Sequence, residues 1–148
     1  MAESNAWILD FGQHFTAAVG AREVLHLLDV HSTFLVPCTP KYCNSVVAWR
    51  DRLLPVMDMA SRLGGMTQQA KFIAVVGYQQ RRGEYPQFGA LLLSSPPLQA
   101  TVNDEQACKL PENAQVWNGL AMACFDFHGE AVPVLDINRL FNTAPISA

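Results

Sequence analysis

Two aspartates end matching apolar runs. Pro55-Val56-Met57-Asp58-Met59 and Pro133-Val134-Leu135-Asp136-Ile137 stand 133 − 55 = 78 positions apart. Paired carboxylates that converge in one cleft could act as general acid and base. The same residues also fit a quieter role. Each precedes a short helical pattern, Ala60-Ser61-Arg62-Leu63 or Asn138-Arg139-Leu140-Phe141, where a carboxylate accepts from the free N–H groups of the first turn. Such a cap contributes about 1 kcal/mol. Repetition favours the cap, because two related half-structures turning a corner alike explain both copies without a reaction.

Other side chains with chemical potential are scattered. Cys38 and Cys43 have no second Cys or His pair at ligand spacing, so half a zinc site is missing, while Cys124 sits in an apolar run and reads as core. Cys108 completes the set, and all four read as reduced thiols. His14, His26, His31 and His128 are dispersed, with His128-Gly129 placed as a hairpin turn. No Gly-x-Ser-x-Gly elbow, phosphate-binding glycine loop, His-Glu-x-x-His pair or dinucleotide fingerprint occurs. The expectation is a protein that is not an enzyme and carries no metal or cofactor.

Arg81-Arg82 with Glu84 falls in a polar hairpin tip and reads as a solvated loop, although loops often carry function. Trp49 could stack bases in a small barrel, making a ligand- or single-stranded nucleic-acid-binding module the alternative reading. That mode needs a positive groove. With ten Lys plus Arg against thirteen Asp plus Glu, net charge −3, the chain supplies none, and Trp49 reads as core or interface. Arg50, next to it, reads as an ordinary turn residue.

The elements that must position these residues are mostly strands. The 148 residues, 50% apolar, suffice for one packed domain. Apolar runs at 72–76 and 90–93 fall far short of the ~20 residues of a membrane helix. Met1-Ala2-Glu3-Ser4-Asn5 lacks an export signal, so a cytoplasmic location without membrane insertion is expected. Residues 7–11 and 14–19 form a first hairpin around Gly12-Gln13, and 24–28 a third strand. Residues 45–49 and 53–57 pair around the turn Arg50-Asp51-Arg52. Pro55 cannot donate to a ladder, which puts its strand at an edge or a bulge. Residues 71–78 and 88–93 make a hairpin with a long tip, 98–102 a weaker strand, and 116–127 with 130–135 the last hairpin. The result is an all-β fold, two small barrels or one split barrel with two short helices.

A family resemblance now follows from the motifs. Val36-Pro37-x-x-Pro40 leading to Ser45-Val46-Val47-x-Trp49-Arg50-Asp51-x-Leu53-Leu54-Pro55-Val56-Met57-Asp58 resembles the central signature of the CheW-like family. Arg22-Glu23-Val24, Trp117-Asn118-Gly119-Leu120 and the closing segment 132–141 agree with it in order and spacing, so the likeness runs over residues 7–141. The resemblance implies two interlocked five-stranded β-barrel subdomains within a single CheW-like domain, residues 1–148. It implies a non-enzymatic adaptor that couples methyl-accepting chemoreceptor tips to a CheA-type histidine kinase, with other CheW-like domains as further partners. Arg50 and Glu23 are carried over as partner contacts, with Val46, Val47 and Phe72 as weaker candidates that also suit a core. Ser45 and Asp51 replace signature glycines, and Gly89-Ala90-Leu91-Leu92-Leu93 lacks the family aspartate. These departures point to a divergent member, one serving pilus motility or another alternative chemosensory pathway, or one that binds only a subset of the usual partners.

Overall fold

The computed structural model describes residues 3–29, 33–37, 39, 41–65, 71–79 and 83–142; His31, Cys38, Pro40, Arg81 and Arg82 lie outside the described residues. Eleven strands are described: β1 (Glu3–Asp10), β2 (Thr16–Gly20), β3 (Val24–Asp29), β4 (Thr33–Leu35), β5 (Ser45–Trp49), β6 (Arg52–Met57), β7 (Phe72–Tyr78), β8 (Gln87–Leu93), β9 (Leu98–Asn103), β10 (Ala121–Phe127) and β11 (Glu130–Leu135). Two short helices follow the aspartates, α1 (Met59–Arg62) and α2 (Ile137–Asn142). The strands form two curled sheets, ordered β10-β11-β2-β1-β9 and β3-β7-β8-β6-β5-β4. The all-β expectation of two barrel subdomains is met, with each curled sheet forming a half-barrel. One of the expected five-stranded units gains a sixth strand, because β4 pairs with β5 through Phe34 opposite Val46.

The 78-residue repeat is built into the backbone. β6 and β11 begin 130 − 52 = 78 residues apart, and each is the second strand of a hairpin, β5–β6 or β10–β11. Both hairpins close on two residues with positive φ: Arg50 (47°) and Asp51 (62°), His128 (53°) and Gly129 (85°). Two successive left-handed residues match the right-handed twist of the flanking strands, which is why tight hairpins use them. Each second strand then finds a parallel neighbour directly after its proline, Val56 opposite Ala90 of β8 and Val134 opposite Ala18 of β2. This corrects the edge assignment of Pro55. β6 is interior, but its second ladder starts one residue beyond the proline, so the missing N–H leaves no partner wanting.

Asp58 and Asp136 are caps. Oδ1 of Asp58 accepts from the Ser61 N–H at 3.2 Å, and Oδ1 of Asp136 from the Arg139 N–H at 3.3 Å. Residues 116–120, expected to open a strand, instead end a 3-10 turn (Glu112–Trp117) and a tight turn with Gly119 at φ 87°. Pro111 caps that turn in an extended conformation, at φ −70° and ψ 163°, and β10 begins only at Ala121.

Three apolar clusters hold the sheets. Ile8, Ala18, Ala100, Phe125 and Val132 fill one face of the five-stranded sheet. Val47, Trp49, Leu54, Val56, Ile73, Val75 and Ala90 fill one face of the six-stranded one. Between the sheets lies a shared core drawn from both, including Leu9, Val19, Met57, Leu91, Leu93, Leu135 and Leu140. β7 explains its own sequence: Ile73 and Val75 face one core while Ala74 and Val76 face the other, so the run is apolar without alternation.

Candidate functional site

Residues Arg50 and Asp51 project from the end of the β5–β6 hairpin, both exposed. The Arg50 guanidinium lies over the Trp49 ring, 4.6 Å from its centroid, and that of Arg52 over Phe88 at 5.0 Å. Trp49 and Phe88 themselves touch, with centroids 5.3 Å apart. The hairpin end is therefore two aromatic rings in tilted contact, with interplanar angle 55°, flanked by two cations, each cation contact worth about 0.5–1 kcal/mol where exposed. Trp49 is 7% exposed, and its indole N–H is buried with no hydrogen-bond partner. It offers no open ring face for a base.

The equivalent hairpin carries the same device in a different key. His128 packs its ring against Phe127 at 4.2 Å, just as Arg50 covers Trp49, and 128 − 50 = 78. Positive φ in these turns thus belongs to the repeat. What distinguishes the first turn is its fixed positive charge.

Register places the apolar residues around Arg50. Phe34 faces Val46, Val46 faces Pro55, and Ala48 faces Leu53 across β4, β5 and β6, so these five share one face of the sheet. Phe34 is 58% exposed and Leu53 67%. Ala48 is exposed too, whereas Val46 and Pro55 are half-buried. The face is a continuous apolar strip ending at the charged turn. Val47, on the opposite face, is 1% exposed and packs with Leu54 and Val56, so its role is to support the strip from beneath.

Glu23 reaches the same end of the sheet. Its carbonyl accepts from the Gly77 N–H at 2.9 Å, and Gly77 stands opposite Phe88, the ring that touches Trp49. Its carboxylate is tied inward, with Oε1 accepting from the Gly20 N–H at 2.8 Å. Burial raises its pKa above the ordinary 4.5; the Gly20 hydrogen bond opposes this and the nearby Asp136 charge adds to it. Phe72 stands apart. It pairs with Asp29 and Leu93 at the far end of β7 and packs on the shared core. The structure therefore places Arg50 and Val46 beside each other on the β5–β6 hairpin, keeps Glu23 next to β3 with its carboxylate turned to Gly20, and leaves Phe72 at the far end of β7.

Sequence reasoning missed Arg52, Phe34, Ala48, Leu53 and Pro55. Period-two reading of β6 would have separated Leu53 and Pro55 from Leu54 and Val56, but with apolar residues on both faces the alternation carries no contrast. Two clefts, of about 660 and 790 Å³, lie beside Gly64 and Gly119 and beside His14 and Glu130. None of the five expected contact residues lines either.

Comparison with known proteins adds three findings. The family model described as "CheW-like domain" matches residues 12–145. No curated protein gave a significant match. Among solved structures, the fold is similar to that of the scaffolding protein TtCheW from Thermoanaerobacter tengcongensis, at 13% identity, with 95% of this chain and 94% of that chain covered and a TM-score of 0.78.

Proposed function

Because the chain belongs to the CheW-like domain family, we propose that it is a non-enzymatic chemosensory adaptor coupling chemoreceptor tips to a CheA-type histidine kinase. The protein it resembles in fold is described as a scaffolding protein, and the adaptor reading extends that role to this chain. The observation that carries the proposal is the exposed apolar strip of Phe34, Val46, Ala48, Leu53 and Pro55 ending at Arg50 and Asp51. An apolar centre with a charged margin is the anatomy of a protein-binding surface. Arg50 would orient the partner, Val46 would line its seat, and Glu23 would shape the neighbouring loop. Val47 would act through the packing below, and Phe72 would serve any partner only from the opposite end of the sheet.

As an adaptor of receptors and kinase the protein would work in the cytoplasm as a single 148-residue domain. No helix among the described residues is long and apolar enough to cross a membrane. Asp51 holds a left-handed conformation (φ 62°) where the family pattern has glycine, which Asp tolerates better than most residues. The hairpin is thereby kept with an added negative charge beside Arg50. That pairing fits a divergent partner set, such as a pilus-motility pathway.

The experiment is a binding titration against the cognate kinase and a receptor-tip fragment. Arg50→Glu should fold as wild type by circular dichroism and weaken binding at least about tenfold, the usual scale for reversing a well-placed interface charge. Normal folding with unchanged affinity for every partner removes Arg50 from the interface. Absence of any complex for wild type well above ~10 μM removes the coupling role itself.

A further inference from the structure

The five-stranded sheet has two edges, β9 and β10, and the chain sews them together. After β9, Asp104–Gln106 make one 3-10 turn, fastened because Asn103 Oδ1 accepts from the Glu105 N–H at 3.0 Å and the Asn103 N–H donates to Gln106 Oε1 at 3.0 Å. Ala107 then bridges antiparallel to Phe125 of β10, and the Gln106 amide donates to the Asp126 carbonyl at 3.0 Å. The Cys108 N–H donates to the Cys124 carbonyl, also at 3.0 Å. Across this seam the two sulfurs lie 3.3 Å apart.

We propose that Cys108 and Cys124 form a reversible thiol-oxidation site, at which an oxidant of the peroxide class links the two sulfurs and closes the five-stranded sheet covalently. A disulfide needs sulfurs at about 2.05 Å, and side-chain rotation across an already bridged backbone supplies an approach of that size. The two thiols have unequal access. Cys108 is exposed and Cys124 is buried. Core packing accounts for Cys124 but leaves an exposed cysteine, in contact with it, unexplained.

The unequal access orders the chemistry. The Cys108 sulfur, as thiolate, attacks one peroxide oxygen; an S–O bond forms, the O–O bond breaks, and hydroxide leaves to take up a proton, giving a sulfenic acid. The Cys124 sulfur then gives up its proton and attacks Cys108, forming S–S while S–O breaks and water departs. Two thiols lose two electrons and two protons, and one hydrogen peroxide becomes two waters. Burial, reinforced by the hydrogen bond and charge interaction with Cys108, pushes Cys124 up to about 12, which keeps it the second thiol to react. A reducing dithiol reverses the sequence by exchange.

The linked loop carries Trp117, whose ring packs 6.1 Å from Phe11 and 6.4 Å from Phe15, and Leu120, whose carbonyl accepts from the Asp136 N–H. Oxidation would therefore fasten the seam and also the connector that plugs the shared core. The proposal is independent of the adaptor reading.

The test treats the full chain with a small excess of hydrogen peroxide, alkylates the remaining thiols and maps peptides by mass spectrometry. Expected are a Cys108–Cys124 linked peptide, its loss on treatment with dithiothreitol, and an upward shift of the thermal midpoint in the oxidised form. Cys108→Ser, at an exposed position, should leave Cys124 alkylatable only after unfolding and abolish both the link and the shift. Cys124→Ser should stop at a Cys108 sulfenic acid that dimedone traps. Over-oxidised Cys108 without the linked peptide, a link to Cys38 or Cys43 instead, or a linked form that melts no higher than the reduced one overturns the proposal.

Discussion

Glu23 poses a question only a titration answers, because its carboxyl is both a structural acceptor and a candidate contact. Its folded pKa is raised, chiefly by desolvation, with the Gly20 hydrogen bond acting against the rise and Asp136 with it. A raised value means the folded state prefers the protonated group. The stability this confers is complete below the ordinary 4.5 and is lost as pH climbs through the higher folded value. Glu23→Gln keeps an oxygen for the Gly20 N–H but has no charge to bury. It should have the higher urea midpoint at pH 7, and the advantage should vanish below about pH 4. An advantage equal at both pH values would mean that something other than ionisation is at work. The same variant separates roles: if it folds well and still loses partner affinity, the charge itself is read at the interface.

Among the elements, the hairpins were legible and their assembly was not. Turn residues and apolar runs marked β1–β2, β5–β6, β7–β8 and β10–β11, since each hairpin is local and bounded by Gly, Asp or polar residues. The joins β6–β8 and β11–β2 are parallel pairings between distant strands, and no local signal specifies them. Residues 116–120 misread as strand because Trp117 and Leu120 are apolar for the shared core, without a strand's period. Likewise Cys108 and Cys124 sit at a spacing of no known motif and meet only because the seam crosses from β9 to β10. Of the candidate site, the turn that holds Arg50 was legible, but Arg50 as a contact came only from the family resemblance, and the strip beside it needed the register of three strands.

One close approach between elements can be tested directly. Gly89, inside β8, has Phe141 of α2 so near that an added Cβ would fall 2.4 Å from the ring, and Phe141 stacks on Tyr78 with centroids 5.4 Å apart. Gly89→Ala should displace that ring and lower the unfolding free energy by about 1–3 kcal/mol, as overpacking does. Pairing it with Phe141→Leu should restore part of the loss if the ring is the obstacle. A Gly89→Ala protein as stable as wild type in urea would show that α2 yields freely.

Taken as a whole, the two sheets of the molecule are joined through one shared core. The shared core takes Leu9 and Val19 from one sheet and Leu91 and Leu93 from the other, and the Arg62 guanidinium donates to the Leu140 carbonyl at 2.7 Å, joining α1 to α2. Unfolding should therefore be a single transition. Far-ultraviolet circular dichroism and the fluorescence of the three tryptophans, Trp7, Trp49 and Trp117, should give one coincident thermal curve. Separate midpoints for Trp49, read in a variant lacking the other two, would instead reveal an independently stable six-stranded half.

The parallel join of β11 to β2 also sets a clock. Ala18 leaves the ribosome 134 − 18 = 116 residues before Val134, the residue it must stand beside. At synthesis rates of about 5–20 residues per second, β2 waits roughly 6–23 s for its neighbour. The first hairpin made is thus the last to be enclosed, and the nascent chain spends that interval with Leu9 and Val19 unprotected, a natural client for whatever shields emerging polypeptides.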